Sequence, residues 1–78
     1  MTIQILDIAE NDLIEGFRFY DKQKSGLGQY FLDSIYSDIE SLYLYYSTHP
    51  QHFGYFRLLA RRFPFTIYYK VEGELIKT

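Results

Sequence analysis

The sequence predicts an α+β domain in which a helical hairpin covers one face of an antiparallel sheet, in the order β-α-α-β-β-β. Three observations lead there. Two apolar stripes at helical spacing lie between Glu10 and Tyr46, parted by Ser25-Gly26-Leu27-Gly28. A period-two row follows in Phe63, Phe65, Ile67, Tyr69 and Val71, the pattern that one buried sheet face requires. The turn signal Val71-Glu72-Gly73-Glu74 then sends the chain back through Leu75-Ile76-Lys77-Thr78.

Each element has its own justification. Thr2 to Asp7 alternates briefly and reads as a first strand, with Ile3 and Ile5 on one face. Glu10-Asn11-Asp12 opens a helix, since acidic side chains suit the positive end of its dipole. Leu13, Phe17 and Tyr20, with Ile14 beside them, form the stripe, and Lys22 and Lys24 close the last turn. Gly26 can take the positive φ of a C-cap. The second helix runs from Gly28 to Tyr46 on Phe31, Leu32, Ile35, Ile39, Leu42 and Tyr43, with Asp33, Asp38 and Glu40 on its polar side. So short a connection makes the two helices antiparallel neighbours.

Ser47 to Gly54 reads as a loop, with His49 and His52 as solvent-exposed loop residues. Tyr55 to Ala60 reads as a strand, and Arg61-Arg62 as a turn or bulge before the long strand. Pro64 lacks an N–H and belongs at a strand start or a sheet edge. A two-residue turn puts Tyr69 opposite Ile76 and Lys70 opposite Leu75, so Phe63 to Thr66 lack a partner on that side. This open edge also offers self-pairing into a homodimer.

Composition narrows the function classes. The 78 residues make one small domain, 1–78, and the net charge is −2. That charge is uneven: residues 1–50 carry three basic side chains against eight acidic ones, whereas Arg57, Arg61, Arg62, Lys70 and Lys77 face only Glu72 and Glu74. No whole-molecule field draws in nucleic acid, though a local basic patch remains. Nine Tyr and seven Phe supply large burial areas to a short chain, and leave some rings for a partner surface. There is no cysteine, so neither a disulfide nor a thiolate metal site is available. His49 and His52 have no Asp, Glu or Cys nearby to complete a ligand set, so no metal and no cofactor are expected. No apolar run approaches a membrane span and no signal pattern opens the chain, so no membrane partner and a cytoplasmic location are expected.

Asp12-Leu13, Phe19-Tyr20, Gly26-Leu27-Gly28, Phe31-Leu32, Ile35, His49-Pro50, Arg57-Leu58 and Arg62-Phe63-Pro64-Phe65-Thr66-Ile67-Tyr68-Tyr69-Lys70-Val71-Glu72-Gly73 occur in that order along nearly the whole chain. In order and spacing they resemble the RelE/ParE superfamily of toxins from type II toxin–antitoxin (plasmid stabilisation) systems, most specifically in the Phe-Pro-aromatic to Tyr-Tyr-basic-Val strand. The resemblance implies a compact toxin fold and a cognate antitoxin protein as partner. Its ParE-like branch poisons DNA gyrase, and its RelE-like branch cleaves messenger RNA on the ribosome without a metal. Members of the plasmid-stabilisation branch continue past the last hairpin with a hydrophobic strand and a basic tail. This sequence stops at Thr78, so the resemblance implies a shortened C-terminus and a toxin impaired or inactive for that reason. The acidic balance favours the gyrase-directed branch over ribosomal RNA, which makes enzymatic activity the lesser expectation. A non-catalytic antitoxin-binding module is the third reading.

The resemblance also nominates residues. Arg61 resembles a phosphate-contacting arginine of the nuclease branch, and Arg57 falls where that branch carries another basic residue; these are the two catalytic candidates. Arg62, Tyr68 and Lys70 are candidates for antitoxin or target binding. Each has a structural alternative: a solvated turn for Arg61-Arg62, pairing with helix carboxylates for Arg57, and core or interface packing for Tyr68 and Tyr69.

Overall fold

The computed structural model describes residues 1–78 as an α+β fold, with two long helices packed on one face of a mixed five-stranded sheet. Its elements are β1 (Thr2–Gln4), α1 (Asp7–Gln23), α2 (Leu27–Glu40), the single turn α3 (Leu42–Tyr45), β2 (Gln51–His52), β3 (Tyr55–Leu59), β4 (Thr66–Glu72) and β5 (Leu75–Lys77). Their spatial order is β1-β5-β4-β3-β2. The sheet departs from the expected antiparallel one at a single ladder, because β1 runs parallel to β5 with Ile3 opposite Ile76. The Leu6 N–H donates to the Thr78 carbonyl at 3.1 Å, so the first and last strands lie side by side where α1 begins.

The helical hairpin holds because its helices approach closely at glycines. A Cβ on Gly16 would sit 2.6 Å from the Phe31 ring, and one on Gly28 would sit 2.7 Å from the Phe17 carbonyl. Gly26 sits in the connection with φ of 91°, which only a residue without a Cβ adopts freely. α1 starts at Asp7, a turn earlier than its acidic cluster suggests, since the Leu6 carbonyl already accepts the Glu10 N–H. The second helix is interrupted at Ser41, whose hydroxyl donates to the Asp38 carbonyl and competes with regular helix bonding there.

The long strand begins later than its period-two row suggests. The Phe65 N–H donates to the Phe63 carbonyl at 2.8 Å, a three-residue turn centred on Pro64, whose fixed φ suits that geometry. Phe63 and Phe65 thereby leave the sheet and pack on the hairpin. Phe63 lies 4.8 Å from the Tyr20 ring and 5.2 Å from Phe31, and Phe65 lies 5.4 Å from Phe31.

The β4–β5 register also differs from the expected one. Glu72 opposes Leu75, Val71 opposes Ile76, and Lys70 opposes Lys77. The two loop residues are Gly73 and Glu74, with the positive φ of 59° at Gly73, the first loop position, where a primed hairpin turn needs it. Moving the turn by one residue slides the pairing by two and leaves every side chain on its expected face. The edge of β4 without a β5 partner is therefore Thr66 to Tyr69, not Phe63 to Thr66. The core between the layers is Leu13, Phe31, Ile35, Ile39 and Leu42 from the helices against Leu58, Ile67, Tyr69 and Ile76 from the sheet.

Candidate functional site

β2 pairs with β3 only through Gln51 opposite Phe56 and His52 opposite Tyr55. The Arg57 N–H reaches the Pro50 carbonyl at 3.0 Å, and beyond that point the outer edge of β3 has no strand beside it. A cleft of about 420 Å³ opens there, between β3 and the end of the second helix, and Arg57 and Arg61 both line it. Two cations predicted separately from the sequence thus share one cavity with Asp38, Ser41, Tyr45 and His49.

The two arginines are held differently. Arg61 Nε donates to Asp38 Oδ1 at 2.9 Å, and its backbone N–H donates to Oδ2 at 3.2 Å. The Asp38 side chain is only 4% exposed against 67% for that of Arg61, so the carboxylate is a buried anchor and the guanidinium reaches out from it. The terminal nitrogens of Arg61 carry no bond within the protein. Arg57 makes no ion pair at all, so its alternative of a helix-carboxylate partner is not realised. It projects half-buried from β3 on the same sheet face as Tyr68, its cross-strand partner, at the strand edge that borders the cleft.

His49 is not the solvent-exposed loop residue that the sequence suggests. It is half-buried, and its Nδ1 lies 2.8 Å from the Tyr69 hydroxyl. That hydroxyl donates to the Tyr46 carbonyl at 2.6 Å. Burial pushes the Tyr69 phenol up to about 12. The Tyr69 ring stacks on Phe56, their centroids 5.2 Å apart. One core tyrosine therefore ties α3, the following loop and two strands together.

The proposed binding residues do not gather at this cleft. Tyr68 and Lys70 lie on the sheet face away from the helices, where Lys70 Nζ sits 4.5 Å above the Tyr55 ring. Exposed Tyr68, Tyr55, His52 and Phe53 surround a shallow hollow on that face. Arg62 stays exposed in the β3–β4 loop, apart from both. Further along, Lys77 bonds Glu72 at 2.9 Å and holds its carboxyl below the ordinary range.

A second, apolar groove of about 300 Å³ lies beside the unpaired stretch of β4. Leu6, Ile8, Leu13, Ile39, Phe65 and Ile67 line it. No group of three or more His, Asp or Glu side chains is arranged to hold a metal ion, and no helix is long and apolar enough to cross a membrane. No family model matches the chain, and no curated protein matches its sequence.

Among the cleft residues that sequence reasoning missed are Asp38 and His49. Asp38, expected on the polar side of the second helix, is buried; its spacing between Ile35 and Leu42 puts it inside the apolar stripe, where a carboxylate needs a partner. His49 carries no such local signal, because its partner lies twenty residues away on another strand.

Proposed function

We propose that the chain is the toxin component of a type II toxin–antitoxin system, ParE-like and directed at DNA gyrase, bound by a cognate antitoxin in the cytoplasm. The observation that carries this reading is the RelE/ParE-like series of motifs borne on a fold, two helices on a mixed five-stranded sheet, that uses them. Gly28 permits the helix crossing, Phe31 and Phe63 meet in one aromatic cluster, and Tyr69 anchors the core. A net charge of −2 favours a protein target over bulk ribosomal RNA. The apolar groove beside the Thr66–Tyr69 edge suits an antitoxin segment that adds backbone hydrogen bonds to β4 and buries alternate side chains. The same edge suits pairing between two copies of this chain.

The cleft favours a second reading, a RelE-like ribosome-dependent mRNA endoribonuclease. Arg57 and the free end of Arg61 supply cationic donors for a phosphate, as metal-free phosphoryl chemistry needs. Inducing the protein in bacteria, with and without the neighbouring gene product, tests both. The gyrase reading expects growth arrest, inhibited supercoiling by purified protein and intact mRNA. Codon-positioned mRNA cuts that disappear in Arg57→Ala would decide for the nuclease instead. A protein that binds the antitoxin tightly but arrests nothing would reduce the function to antitoxin binding.

A further inference from the structure

We infer that His49 is the hydroxyl acceptor of the cleft and makes the site prefer ribose over deoxyribose beside a bound phosphate. The inference rests on the RNA-directed reading and assigns a residue that the resemblance does not.

The Tyr69 hydroxyl has one hydrogen, and the Tyr46 carbonyl 2.6 Å away can only accept it. The contact of 2.8 Å between Tyr69 Oη and His49 Nδ1 must then be donated by the histidine. Neutral imidazole carries a single N–H, so Nδ1 holds the proton and Nε2 holds a lone pair. A backbone carbonyl therefore sets the tautomer of His49 through one intervening phenol. Burial keeps that phenol protonated far above neutral pH, so the setting does not lapse in the physiological range.

Nε2 is available to a ligand. His49 lines the cleft, and its only hydrogen bond within the protein is through Nδ1. The one buried side-chain polar atom lacking a partner is Ser34 Oγ, so the unpartnered Nε2 is reached by solvent. Arg61 lines the same cleft, Arg57 borders it from the edge of β3, and Asp38 neutralises part of the Arg61 charge. The cleft thus offers guanidinium donors for phosphate oxygens and one nitrogen lone pair that repels them. A ligand with an O–H next to its phosphate satisfies both. RNA has that arrangement in the 2′-hydroxyl beside the 3′-phosphodiester, and DNA lacks it.

The test uses a short single-stranded oligouridylate and its 2′-deoxy counterpart, with binding followed by fluorescence anisotropy at low salt. Wild-type protein should bind the ribose form about tenfold more tightly, the value of one satisfied hydrogen bond. His49→Ala should abolish the preference while leaving affinity for the deoxy form unchanged, and His49→Gln, with an acceptor near the Nε2 position, should restore part of it. Arg57→Ala should weaken both ligands alike. Independently of any variant, the imidazole nitrogen chemical shifts should place the proton on Nδ1, and Tyr69→Phe should mix the tautomers. A ribose preference that survives in His49→Ala, or a proton found on Nε2, would overturn the role of His49 and leave the RNA-directed reading standing. Equal wild-type affinity for the two forms would do the same. Wild-type protein that binds neither would overturn the RNA-directed reading, and this inference with it.

Discussion

At the scale of single residues, charge and hydrogen-bond satisfaction separate the structural side chains from the free ones. Arg61 satisfies a buried carboxylate and Arg57 satisfies nothing, so the two should respond differently to truncation. Arg61→Ala leaves Asp38 with only a backbone N–H and should cost about 1–3 kcal/mol in urea denaturation. Arg57→Ala should stay within about 0.5 kcal/mol of wild type. A comparable loss in both would make Arg57 a structural partner and remove it from the site. Ser34 is the opposite case, a buried hydroxyl without a partner on α2. Ser34→Ala should raise stability by about 1 kcal/mol, because it removes an unmet polar group and improves helix propensity. Tyr69 gives the pH dependence. Its folded pKa, about 12, stands above the ordinary 10.0. The fold prefers the neutral phenol, so its contribution is complete below pH 10 and is lost as pH rises from 10 to 12. Denaturation across that window should show a fall of about 2–3 kcal/mol from this group. The fall should be missing in Tyr69→Phe.

At the scale of elements, the hairpin depends on close approach and the sheet on turn chemistry. Gly16 meets the Phe31 ring, which is fully buried and packed against Tyr20, Phe63 and Phe65, so the ring has little room to yield. Gly16→Ala should therefore lower stability by about 1–2 kcal/mol despite the better helix propensity of alanine, as thermal unfolding would show. An unchanged or higher melting temperature would mean that the helices can part without loss. The helices themselves were legible, because their stripes repeat over several turns. The break at Ser41 and the late start of β4 were not. Both follow from competing local bonds, the Ser41 hydroxyl on the Asp38 carbonyl and the turn centred on Pro64, which residue periodicity does not register. The register error at Gly73 had a subtler cause. The sequence locates the glycine but not which of the two loop positions it fills.

At the scale of the whole molecule, charge is divided between the layers. Net charge is −2, yet the cleft presents two arginines against one buried, already paired carboxylate. Any RNA bound there meets a local patch without a long-range field. For two phosphate contacts, the slope of log affinity against log salt should be ~−1.4 for a single strand. Anisotropy titrations over a range of salt would measure it. A slope several times steeper would show that the outer sheet face, with Lys70 and Lys77, takes part as well.

Sequence by itself determined the α+β class, the two-helix hairpin, most of the core-facing side chains and the positions of the cations, because these depend on period and composition along one chain. Only the tertiary structure decided that β1 lies parallel to β5, that Arg57 and Arg61 share a cleft, and that His49 answers to Tyr69. Those are relations between residues far apart in the chain, and they exist only once packing has brought the partners within hydrogen-bonding reach.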